Sequence, residues 1–184
     1  RLIYDDFGCL MKLPYKYYEK LEEMGIKCAV FNPLIPVPYA RLNNRDHRKI
    51  AVIDGHTGFT GGINLADEYI NAIQKHGHWK DTAIMVKGEA VWNMTVMFLS
   101  MWDYIKGIDE DFNDFRGEMP VLNKSECCGF VQPFADGPLD DEPVGETVYL
   151  NLINKARDYV YITTPYLIID NEMVTALTSA AKGG

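Results

Sequence analysis

Asn43-Asn44-Arg45-Asp46-His47-Arg48-Lys49-Ile50-Ala51-Val52-Ile53-Asp54 is the stretch on which the reading of this chain turns. Ile50 to Ile53 is a short apolar run closed by Asp54-Gly55, the pattern of a strand that runs into a turn. The spacing predicts a strand from Lys49 to Ile53 that extends back toward Arg45. Side chains on a strand alternate between its faces, so His47 and Lys49 project the same way, about 7 Å apart along the backbone. Arg45 joins them if the strand reaches that far. An imidazole beside fixed positive charge suits attack on a phosphodiester. The imidazole serves as nucleophile. The ammonium holds non-bridging oxygens and stabilises the negative charge that develops on them. Lysine supplies the charge a metal would, so this chemistry calls for neither metal nor cofactor. A bare His-x-Lys on a strand is more often a charged edge facing solvent, and the wider pattern has to decide.

That pattern continues. Asp54 closes the strand five residues after Lys49, and Gly61-Gly62-Ile63-Asn64 follows at a fixed distance. The whole reads H-x-K-x4-D-x6-G-G-x-N, the signature of the phospholipase D superfamily. Six such positions arise by chance in a chain of this length on the order of once in 10⁵. Further segments resemble the bacterial cardiolipin synthases: Tyr4-Asp5-Asp6-Phe7-Gly8, Phe31-Asn32-Pro33, Gly58-Phe59-Thr60, Asp67-Glu68-Tyr69, Trp79-Lys80-Asp81-Thr82, Gly137-Pro138 and Thr164-Pro165-Tyr166. The resemblance covers nearly the whole chain. Gly62 departs from the broad superfamily, where many members have Ser; the cardiolipin synthase branch tolerates it.

The resemblance implies an α/β fold, a phospholipase D-like mixed β-sheet flanked by helices. It implies transfer of a phosphatidyl group from one phosphatidylglycerol to another through a phosphohistidine, with two such motifs meeting at one site. His47 matches the motif histidine and Lys49 the phosphate-binding lysine. Asn64 matches the motif asparagine, a second phosphate contact, and Arg45 is a further candidate for one. Asp54 matches the motif aspartate and is read as structural, pinning the turn. Asp81 falls where the superfamily places an acid that holds the far nitrogen of the histidine, a role that fixes the tautomer and supports the imidazolium. A surface acid before a strand is the plainer alternative for Asp81. The parent of such a sequence is expected at the cell membrane with its catalytic part on the cytoplasmic side, and the chain itself in solution.

Composition sets limits. The chain has 184 residues, a net charge of -8 and 47% hydrophobic residues, enough for one domain or two small ones with a sizeable core. An acidic chain does not suit a broad footprint on nucleic acid, so an anion site must be local. Cys9, Cys28, Cys127 and Cys128 match no zinc spacing and read as free thiols. His76 and His78 lack further ligands at useful spacing. No apolar run is long enough to span a membrane.

Strands alternate with helices, which implies α/β layers. Strands are expected at Leu2 to Tyr4, Ile26 to Phe31, Gly58 to Thr60, Thr82 to Val86 and Val160 to Thr163. Helices are expected at Pro14 to Met24, Asn64 to Gln74, Ala90 to Ile105, Thr147 to Arg157 and Asn171 to Lys182, the last capped by Asp170. The Met and aromatic stripe of the helix from Ala90 reads as core. Asn32 to Tyr39, with three prolines, reads as a loop; its Leu34, Ile35, Val37 and Tyr39 are candidates for touching lipid or for packing beside the site. Residues 1–106 then form the later part of one motif-bearing repeat, 107–146 a linker and 147–184 the start of a second repeat. The ends read as those of an excised piece. On that reading the strand at Val160 to Thr163 and the helix from Asn171 fill places vacated in the sheet, within one chain or by exchange in a homodimer. Two other functions stay open: a phosphodiesterase or nuclease of the same superfamily, and a non-catalytic module that binds an anion.

Overall fold

The computed structural model describes residues 1–10, 12–33, 44–75, 77–118, 129–137, 141–164 and 166–183. β1 (Leu2–Asp5) and β2 (Cys28–Phe31) are joined by two short helices, α1 (Asp6–Cys9) and α2 (Tyr17–Glu23). They pair in parallel, Leu2 opposite Cys28 and Asp5 opposite Phe31. Parallel neighbours need a crossover, which the helices supply. Asp5 ends β1 and caps α1 in one step: its backbone is extended, and its Oδ1 accepts the Gly8 amide at 3.0 Å.

β3 (Ile50–Ile53), β4 (Thr57–Gly61) and β5 (Ala83–Lys87) form an antiparallel meander. Asp54 (φ 51°) and Gly55 (φ 68°) both take left-handed conformations between β3 and β4. Tight hairpins need that pair of positive angles, and Asp-Gly accepts them at low cost. α3 (Val91–Lys106) packs on β2, β3 and β4. Its buried residues Val91, Met94, Thr95, Leu99, Trp102 and Asp103 recur at helical spacing, so the stripe read as core lies in the core at Val91, Met94 and Trp102. Val52, Gly58 and Val86 are cross-strand partners on the sheet face toward α3. At Gly58 the helix comes so close that a β-carbon would sit 2.7 Å from Met94 Sδ. Ala51, Phe59 and Met85, on the other face, are exposed.

The chain is α/β, as expected, but several elements differ. Among the described residues the parallel pair and the antiparallel trio are separate sheets, not one mixed sheet. Asn64 to Gln74 forms turns, not a helix. Asn71 sits at φ 60°, and its side-chain amide binds both the N–H and the carbonyl of Trp79, at 2.6 and 2.8 Å. Such side-chain bonds to backbone compete with the helical ladder. Residues 108–117, expected in a linker, pack into the first unit. Phe112–Phe115 forms a 3-10 turn, and a β-carbon on Gly55 would lie 2.6 Å from the Gly117 nitrogen. The Arg1 guanidinium lies over the rings of Trp102 and Phe115, at 4.9 and 4.6 Å, and ion-pairs with Glu110.

Two compact units result, Arg1–Pro133 and Phe134–Gly184. In the second, α4 (Val144–Lys155) and α5 (Asn171–Gly183) pack together. Asp170 Oδ1 accepts the Met173 amide at 2.9 Å, the cap expected of it. Val160 to Thr163 is exposed and pairs with no strand among the described residues. Its β-branched and aromatic residues suit a strand, but that preference needs a sheet to pack on. Within the chain it therefore forms no strand of its own. The proline-rich loop from Leu34 onward, His76, Cys127 and Cys128 lie outside the described residues. No helix among the described residues is long and apolar enough to cross a membrane.

Candidate active site around His47

Residues 44–49 lead into β3 without regular structure, so the strand starts at Ile50 and does not reach Arg45. Ion pairs hold this lead-in instead. Arg45 Nε donates to both oxygens of Asp5, at 3.0 and 2.9 Å, and its guanidinium lies 4.5 Å over the Phe7 ring. Asp5 Oδ2 also accepts the Asp46 amide at 2.9 Å. Arg48 donates Nε and Nη2 to the two oxygens of Asp46, at 2.9 and 2.8 Å. Each arginine of the basic cluster thus has an aspartate of its own. Arg45, a candidate phosphate contact, is engaged by Asp5. Lys49 has no carboxylate partner among the described residues; its Nζ donates to the His47 carbonyl at 2.6 Å.

The electrostatics favour a neutral imidazole. His47 is exposed. Partial burial of the ring, then the charges of Lys49 and Arg45, hold its pKa below the ordinary 6.5, against the opposing pull of Asp5 and Asp46. A neutral ring keeps the lone pair that a nucleophile needs. Burial also lowers the Lys49 pKa, with Asp46 and Asp81 working against it. Burial would raise the Asp46 carboxyl, but the side-chain and backbone hydrogen bonds from Arg48 outweigh it and hold the group below its ordinary value.

Asp81 stands just before β5. Its Oδ2 accepts the Trp79 indole N–H at 3.1 Å and its Oδ1 the Thr82 amide at 2.8 Å. No hydrogen bond joins it to His47 among the described residues, and its charge acts on Lys49. Trp79 is set edge-on to Tyr69, with centroids 4.9 Å apart at 85°. Lys12 lies 5.7 Å over the Tyr69 ring and ion-pairs with Glu68. Asp54 holds the turn by its left-handed backbone, and its carboxylate is exposed. Asn64 is half-buried, and its side chain bonds no other described residue.

Two parts of this arrangement were not legible as site residues. Asp5 sits forty positions from Arg45, so nothing local announces their pairing. The Tyr69–Trp79 contact links two family-like segments that sequence spacing alone does not bring together.

Several relatives that match the chain along its full extent are named cardiolipin synthase. Over 185 residues that take in the whole chain, it is 36% identical to the cardiolipin synthases of Alkalihalophilus pseudofirmus and Geobacillus kaustophilus, covering 36% of each. Over all 184 residues it is 49% identical to an uncharacterized protein of Streptococcus mutans serotype c, of which it covers 39%. The chain is a homologue of the bacterial cardiolipin synthases along its full extent and spans little more than a third of their length. No family model matches it. No solved structure matches it.

Proposed function

We propose that this chain carries one half of a phosphatidyl-transfer site of the phospholipase D type, in a protein that makes cardiolipin from two phosphatidylglycerols. The observation that carries the reading is the exposed, neutral His47 with Lys49 folded back on its carbonyl, within a six-position motif match. His47 attacks the phosphorus, a P–N bond forms and the P–O bond to the leaving glycerol breaks. That glycerol takes its proton from an acid, which in a two-motif site is the second histidine. A hydroxyl of the second phosphatidylglycerol then attacks the phosphohistidine and gives its proton to the same group. The P–N bond breaks and His47 is restored. Lys49 holds the non-bridging oxygens throughout, with Asn64 as a second contact. The parent works at the membrane from the cytoplasmic side, and its fold there is the phospholipase D-like mixed sheet.

The test is a chimera. The matching segment of the Geobacillus kaustophilus cardiolipin synthase is replaced by this chain, and cardiolipin formed from phosphatidylglycerol is measured by mass spectrometry. Product from the chimera and none from its His47→Ala variant is the expected result. Equal product from both contradicts the assignment.

A further inference from the structure

We propose that Asp5 is a positioning residue of the phosphate site. By gripping Arg45 and the Asp46 amide, it fixes the lead-in that carries His47 and Lys49. The inference rests on the phosphodiester reading above.

Residues 44–49 belong to no strand or helix, so no ladder of backbone hydrogen bonds sets their place. Something else must hold His47 in register. Asp5 does so from a rigid base, because β1 is zipped to β2 over its whole length and Asp5 is its last residue. The Asp5 side chain is 9% exposed. Its two oxygens accept the Gly8 amide, the Asp46 amide and both contacts of Arg45 Nε. The Gly8 bond ties the carboxylate to its own element. The Asp46 bond lands one residue from His47. Phe7, the second residue after Asp5, closes the far side of the Arg45 guanidinium. The grip therefore spans from the end of β1 to the residue beside the nucleophile.

The plainer alternative is that Asp5 is a carboxylate that happens to lie near an anion site. The two differ in sign. A nearby carboxylate repels phosphate, so Asp5→Asn would tighten phosphate binding and would free Arg45 to help. A positioning carboxylate is needed for the geometry, so the same change weakens binding although it removes a negative charge. Small misplacements of reacting or binding groups are costly in such sites.

The experiment titrates inorganic phosphate into the 184-residue chain while NMR follows the His47 ring. Asp5→Asn is expected to weaken phosphate about tenfold, on the order of what a misplaced contact costs. Asp5→Glu, which keeps the carboxylate on a longer arm, recovers part of that loss. Arg45→Met and Arg48→Met remove equal charge from the same segment, but only the first breaks the Asp5 grip, so it should cost more. These comparisons hold even if Asp5→Asn does not fold. The pH at which the ring titrates is read in the same samples. The charged groups facing the ring are Lys49, Arg45, Asp5 and Asp46; Asp5→Asn should move the midpoint down and Arg45→Met up. Phosphate binding to Asp5→Asn as tight as wild type or tighter overturns the proposal, as do equal losses in the two arginine variants. A wild-type chain whose His47 ring ignores millimolar phosphate contradicts the phosphodiester reading itself, a separate result.

Discussion

Gly62 lies flush against Asp81: a β-carbon at position 62 would sit 2.5 Å from Asp81 Oδ1. The carboxylate occupies the space a side chain would need, and it is tied there by the Trp79 indole and the Thr82 amide. Gly62→Ser should turn Asp81 out of that seat. The cost should be about 1 kcal/mol, the net worth of a hydrogen bond, and the Trp79 indole N–H resonance should move toward that of a solvated indole. An unmoved indole resonance would show that the carboxylate has room to spare.

Lys49 is the one cation of the motif lead-in without a carboxylate partner among the described residues. Its loss should therefore be felt where the loss of Arg48 is not. Lys49→Ala in the chimera should lower cardiolipin formation by about 10²–10³, the usual effect of deleting one contact to a developing oxyanion. Lys49→Arg should keep part of the rate, because the charge is kept while its geometry changes. Turnover of the alanine variant within about threefold of the parent would remove Lys49 from the phosphate site.

The pH behaviour follows from the directions of the shifts. His47 is held below its ordinary value, so the unfolded chain takes the proton first as pH falls. Nucleophilic capacity should be complete at neutral pH and lost only below about 6.5. The ring then works against the fold as pH drops through the ordinary histidine range. Asp46 and Glu68 are likewise held below their ordinary values. Burial resists the shift of Asp46, but the bonds from Arg48 prevail; the bond from Lys12 lowers Glu68. Their contributions are present above the ordinary carboxylate values and are lost as pH falls through the lower folded ones. Thermal melts from pH 7 to pH 3 should thus show a steep loss below about pH 4.5. A melting temperature that is flat across that range would contradict the two pairings.

Asn71 replaces the expected helix with a turn, and its substitution should be expensive. Asn71→Ala removes two hydrogen bonds to Trp79 and leaves alanine at φ 60°. About 1 kcal/mol for each bond and about 1 for the left-handed backbone give a loss of about 2–3 kcal/mol in urea unfolding. A change within about 0.5 kcal/mol would mean that the turn is held by other contacts.

The comparison between sequence and structure follows the range of the forces involved. α3 was legible within a residue because its apolar periodicity reports burial directly, and β4 and β5 lie within a residue of their expected places. The tight turn at Asp54-Gly55 was legible because few residue pairs accept two positive φ angles. The candidates His47, Lys49 and Asp81 rest on spacing and resemblance. The lead-in that holds the first two could not be read from either, because it depends on Asp5, which is distant in sequence. Val160 to Thr163 shows the opposite failure. Its side chains suit a strand, but a strand is made by its neighbour, and local sequence cannot say whether one is there.

The account stands on His47 as the atom that takes the phosphatidyl group. The direct measurement is peptide mass spectrometry of the chimera, quenched under alkaline conditions during turnover of short-chain phosphatidylglycerol. The account predicts a phosphatidyl adduct on the peptide containing His47, absent from His47→Ala. Steady turnover with no adduct on His47, or an adduct that persists in His47→Ala, would contradict it.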